Sequence, residues 1–152
     1  MATPLTAWKC DQCQEDITDP GIALVTYRRD DQRRAYDFRL VHKNIDGRRC
    51  DPDNDDGFID SIELSQLLGA DGLTDLLSLL SAGPYSDDRG VVRVLDFDGY
   101  TDLVRRVQIP FYEEARRYWR TQYTRELLGG ANHTYPYLPD TLEQIANQDP
   151  EE

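Results

Sequence analysis

Apolar positions along this chain change their spacing near residue 50, and the change separates a strand-like part from a helix-like part. Residues 22–27 are a β-branched and aromatic run, and residues 35–42 alternate, with Tyr36, Phe38, Leu40 and His42 on one face. The polar stretch 28–34 between them predicts a hairpin connection, and Asp19-Pro20-Gly21 a turn before the first strand. After Cys50 the segment Asp51-Pro52-Asp53-Asn54-Asp55-Asp56-Gly57 cannot continue a strand. Helical spacing follows. Asp60 and Glu63 fit a capping box ahead of Leu64, Leu67 and Leu68, with a stop at Gly69. A second helix is expected from about Asp71, because Leu73, Leu76, Leu77 and Leu80 recur at i, i+3, i+4 and i+7. That leucine stripe reads as core, and Gly83-Pro84 ends the helix. Further on, 91–95 reads as a short strand and 99–107 as a helix. The longest helix is expected over 111–128, entered at Pro110, closed by Gly129-Gly130 and burying Tyr112, Ala115, Trp119 and Tyr123. A small capped turn or helix at 140–143 precedes an acidic tail.

Length and composition fit one domain, or one domain with a small metal-held appendage, since 152 residues with 39% apolar side chains can bury a modest core. No apolar run nears the roughly 20 residues that span a bilayer. The best candidate, 73–82, is interrupted by Thr74, Asp75, Ser78 and Ser81. The N-terminus has neither a basic start nor an apolar stretch, so the expected location is cytoplasmic, with no membrane partner.

Charge is divided rather than uniform. Residues 1–50 carry nine Lys/Arg against eight Asp/Glu, whereas 51–103 carry two against thirteen. The first region concentrates arginine at 28, 29, 33, 34 and 39; the second is an acidic block. Self-repulsion in that block needs an offset. The simplest is internal, with Arg39, Arg48 or Arg49 close to carboxylates of 51–60; the alternative is a basic partner.

The strongest chemical signal is Cys10-Asp11-Gln12-Cys13, followed by His42 and Cys50. A C-x2-C turn aims two sulfurs at one point, and a hairpin whose second strand ends at His42 returns His42 and Cys50 beside them. Four such ligands suit tetrahedral zinc, with Zn–S about 2.3 Å and Zn–N about 2.0–2.1 Å. All three cysteines are then used, and no position remains for an activated water, so the site is expected to be structural. With Trp8 just before the knuckle, residues 8–50 resemble zinc-ribbon and treble-clef-type domains at the level of architecture. The second ligand pair departs from that pattern, being His-x7-Cys rather than a tight C-x2-C. The resemblance implies a structural Zn2+ and a β-hairpin scaffold for about a third of the chain. The expected fold is therefore α+β: a zinc-stabilised β-hairpin unit (1–50), a small helical body with a short strand (51–130), and a partly ordered acidic tail (131–152).

Two weaker signals compete with bland readings. With Gly57 as position 6, the 52–63 segment resembles an EF-hand loop offering Asn54, Asp56, Asp60 and Glu63, but Pro52 stands where the first carboxylate belongs. A solvated acidic turn capping a helix at Asp60 is the simpler reading. Asp96 and Asp98 place two carboxylates near a strand-to-helix junction, where Asp98 as a helix cap explains more than catalysis does. His133 lies in a polar segment, and no nucleophile elbow, phosphate loop or H-E-x-x-H occurs. The reading reached from sequence is a non-catalytic zinc-binding interaction or regulatory module whose partner is another protein, basic in character. Nucleic-acid binding through the Arg-rich hairpin (28–39) stands second, and an enzyme using Asp96 and Asp98 third.

Overall fold

A computed structural model describes residues 5–52, 59–85 and 90–148. It is an α+β fold in which a short hairpin, a three-stranded antiparallel sheet and five helices share two apolar clusters. The hairpin pairs β1 (Trp8–Lys9) with β2 (Asp16–Ile17). The sheet has the order β4-β3-β5, from β3 (Ala23–Arg29), β4 (Ala35–His42) and β5 (Ile59–Glu63).

The expected hairpin of the first region is present, with one irregularity. Ala23 pairs with His42 and Val25 with Leu40, but the register shifts between Thr26 and Arg28. Opposite that shift Asp37 takes a φ of 56°. A bulge of this kind flips the face presented by the rest of the strand. Ala35 is therefore buried along with Leu40, Val41 and His42, and the alternation read from sequence breaks in mid-strand.

The segment from Asp60 corrects the sequence reading. Residues 59–63 are the third strand, paired with β3, and the capping box does not form; Leu64–Leu67 make one 3-10 turn. Leu64 and Leu67 are fully buried on that turn, and the backbone pairing of 59–63 along β3 outweighs the local helical signal here.

Helix α1 (Gly69–Leu80) follows, much as its spacing predicts. Gly72 is buried where this helix crosses the preceding turn, and a Cβ there would overlap the Leu67 backbone. The leucine stripe, however, is not all core. Leu76 is buried, but Leu73, Leu77 and Leu80 remain 40%, 57% and 36% exposed. Residues 91–95 make only an isolated parallel bridge, Ala35 to Val94, with Val91, Val92 and Leu95 exposed.

Helix α2 (Phe97–Gln108) carries Tyr100, Leu103 and Val107 into the main core. The single long helix expected over 111–128 is broken. It becomes α3 (Tyr112–Ala115), a 3-10 turn over Arg116–Tyr118, and α4 (Gln122–Leu128). Phe111 enters in the left-handed region, and the Thr121 hydroxyl accepts from the Thr124 N–H to start α4 afresh. Helix α5 (Pro139–Ala146) buries Leu142 and Ile145 against Tyr112 and Ala115, forming the second cluster. Among the described residues, no helix is long and apolar enough to cross a membrane.

Candidate metal centre

Cys10 and Cys13 sit on the turn between β1 and β2. Backbone bonds shape it: the Cys10 N–H donates to the Glu15 carbonyl, and the Gln14 N–H to the Cys10 carbonyl, with Gln14 at a φ of 65°. Asp11 ties this turn to β4 in both directions. Its N–H donates to the Leu40 carbonyl, and its Oδ2 accepts from the Leu40 N–H, each at 2.8 Å. His42 closes β4. Cys50 returns through a loop clamped by Asn44, whose amide donates to the Asp51 carbonyl at 3.1 Å and accepts from the Asp51 N–H at 3.0 Å. Asp46 and Gly47 supply the positive φ values this reversal needs.

The four side chains converge. One ligand atom from each of Cys10, Cys13, His42 and Cys50 lies within 4.8 Å of the others. His42 Nδ1 is 3.4 Å from Cys13 Sγ and 3.9 Å from Cys50 Sγ. Tetrahedral zinc with the usual bond lengths sets sulfur–nitrogen edges at about 3.6 Å, so these two distances bracket what the ion requires. The opposite ring nitrogen, Nε2, lies 3.3 Å from the Asp16 carbonyl. Donation there fixes the tautomer that leaves Nδ1 free to ligate, the usual arrangement around a metal-bound imidazole.

Electrostatics favour the same arrangement. Burial opposes ionisation of Cys10, yet backbone donors from Cys13, His42 and Gln12 outweigh it and bring the thiol down to about 7. Burial and the neighbouring sulfurs push Cys50 the other way, up to about 12. Three thiols so close cannot all ionise without a cation among them. The Arg48 guanidinium lies 3.6 Å from Cys13 Sγ while also pairing with Glu15 at 2.6 Å. It stands where the residual negative charge of three thiolates around a divalent ion would fall.

A buried ionic clasp, not visible in the sequence, joins this centre to the helices. Arg106 on α2 grips Glu113 through Nε at 2.7 Å and Nη2 at 2.9 Å. Its Nη1 reaches Asp11 Oδ2 at 2.7 Å, and Nη2 also donates to the Lys9 carbonyl. The Lys9 N–H donates to Glu113, and the Trp8 indole N–H to the Arg106 carbonyl. Trp8, Lys9 and Asp11, around the first cysteine, are thus bonded directly to α2 and α3.

The other candidates fare differently. The N-cap of α2 is Asp96 rather than Asp98: Asp96 accepts from the Gly99 N–H at 3.0 Å, and Asp98 lies exposed one residue inside the helix start. In the calcium-loop segment, Asp60 pairs with Arg29 and Glu63 with Lys43, both from a strand rather than an exiting helix. Asn54 and Asp56 fall outside the described residues. Most of the hairpin arginines are paired with carboxylates: Arg28 and Arg39 with Asp37, Arg29 with Asp60, and Arg34 with Asp30. Of the carboxylates in 51–60 that the arginines were expected to offset, Asp53, Asp55 and Asp56 fall outside the described residues. Arg39 and Arg48 turn to Asp37 and Glu15, and Arg29 supplies the charge beside Asp60.

Fold and site together define an α+β protein with a Cys3His cluster able to hold a metal ion. Comparison with family models, curated proteins and solved structures returned no match.

Proposed function

We propose that this protein is a non-catalytic interaction module, held in shape by one structural zinc ion, which docks a basic partner protein. Zinc is favoured over harder cations because three soft thiolates and an imidazole suit it, and among the described residues no carboxylate joins the cluster. Four protein donors fill a tetrahedron and leave no site for substrate or activated water.

The observation that carries the docking role is the outer face of α1. Leu73, Leu77 and Leu80 lie exposed at helical spacing, with exposed Asp71 and Asp75 on the same helix. The adjoining 91–97 segment adds exposed Val91, Val92, Leu95 and Phe97; Arg93 bonds it to α1 through the Ser78 carbonyl at 3.1 Å. Large apolar side chains gathered on neighbouring segments mark an interaction surface. Acidic residues among them match a partner with leucine-like anchors and Lys/Arg flanks. They disfavour a second copy of this chain, whose net charge is also −12.

The test uses a designed amphipathic helical peptide with leucine on one face and lysine on the other, and a glutamate-for-lysine counterpart. Calorimetry should show binding of the lysine peptide that weakens with salt and falls at least about tenfold in a Leu73→Ser/Leu77→Ser variant. Those substitutions leave charge unchanged. Equal binding of both peptides, or no effect of the serine substitutions, would overturn the docking reading.

A further inference from the structure

A cleft of about 460 Å³ is lined by Lys9 and Gln14 from the β1–β2 hairpin region and by Asp102, Glu113, Arg116, Arg117 and Trp119 from the helical part. That volume falls within the range of small-molecule sites. Its charges are not evenly matched. Glu113 is held by Arg106 and the Lys9 N–H. Asp102 accepts from the Tyr112 hydroxyl and from Arg116 at 3.2 Å. Both acids are thus occupied. The Lys9 ammonium and the Arg117 guanidinium, by contrast, have no hydrogen-bond or ion-pair partner among the described residues. Trp119 gives the cleft a rigid apolar wall, because its ring packs against Tyr112 and Tyr137 with centroids 6.0 Å away in each case.

We propose that this cleft binds a small organic anion, its carboxylate or phosphate group held by Lys9 and Arg117 and its apolar body resting on Trp119. Two cations free of hydrogen bonds and ion pairs among the described residues, Arg117 feeling only the nearby Glu114 carboxyl, attract one oxyanion in an otherwise acidic protein. The arginine fork suits either oxyanion, and Lys9 acts as a point charge beside it. The proposal is independent of the docking surface on α1, which shares none of these residues.

Benzoate and phenyl phosphate are suitable probes, with benzylammonium as the cationic counterpart, followed by chemical-shift changes at the Trp119 indole and by calorimetry. Fragments of this size should bind at about millimolar affinity. The tighter of the two anions identifies the head group. Lys9→Gln and Arg117→Gln should each weaken binding about tenfold while leaving zinc content and circular dichroism unchanged, since neither side chain makes a hydrogen bond or ion pair among the described residues. The proposal is overturned if neither anion perturbs Trp119, if benzylammonium binds as well as the anions, or if both variants, shown to be folded, bind like the parent.

Discussion

Replacing Arg106 with methionine removes the centre of the clasp while keeping most of the side-chain volume. The parent guanidinium is only 4% exposed and makes four bonds: two to Glu113, one to Asp11 and one to the Lys9 carbonyl. Burial alone would lower the pKa of Arg106, yet the adjoining carboxylates raise it further, so the charge is held firmly in the folded state. In Arg106→Met, the Glu113 carboxylate, 2% exposed, keeps the Lys9 N–H at 3.0 Å and a distant Arg116 at 3.8 Å. A buried charge stripped of its partner costs about 3–5 kcal/mol. With a urea slope of about 1–3 kcal/mol per molar, the midpoint should fall by roughly 2 M. The pair itself is worth less than this loss, because desolvation offsets much of its attraction. Arg106→Met/Glu113→Leu should therefore recover stability, with a coupling energy of about 2 kcal/mol in a double-mutant cycle. Urea titration followed by tryptophan fluorescence measures both, since Trp8 sits on the clasp. An Arg106→Met midpoint within error of the parent, or strictly additive changes in the double variant, would refute the reasoning.

Three further outcomes follow from specific contacts. Burial holds the Glu114 carboxyl above its ordinary range and leaves its Oε2 without a partner, so ionised Glu114 opposes folding at neutral pH. Glu114→Gln should raise the melting temperature there, with the gain fading as pH falls toward about 4, where the parent carboxyl is protonated in both states. Gly72→Ala should destabilise by about 1–3 kcal/mol or more in the same urea assay, because the new Cβ meets Leu67 backbone rather than a side chain that can move. Zinc uptake at neutral pH should release more than one proton per ion, because the Cys50 thiol, pushed up to about 12, gives up a whole proton and Cys10, at about 7, a further part, on top of whatever Cys13 contributes. Calorimetry in buffers of different ionisation enthalpy counts those protons, and a value below one would contradict it.

The features legible in the sequence are those with local or chemically distinctive signals. Cys10, Cys13, His42 and Cys50 stand out because few residue types ligate metals, and the β3–β4 hairpin needs only alternation and a polar connection. Helix α1 shows in its leucine spacing, but the sequence could not tell that three of those leucines face outward; a stripe wide enough for core also suits a docking face. Asp60 and Glu63 imitate a helix cap, whereas the pairing that makes 59–63 a strand comes from β3, more than thirty residues earlier. The break in the long helix had a visible signal, Thr121, a good N-cap inside an apparently continuous run. The clasp had none. Asp11 and Arg106 are 95 residues apart, and no local pattern announces that contact.

The central claim, a structural zinc with four protein ligands, is tested most directly by zinc K-edge absorption on protein purified without added metal. The first shell should hold three sulfurs at about 2.3 Å and one nitrogen at about 2.0–2.1 Å, with no oxygen. Absence of bound metal, or a shell containing water or carboxylate oxygen, would contradict it.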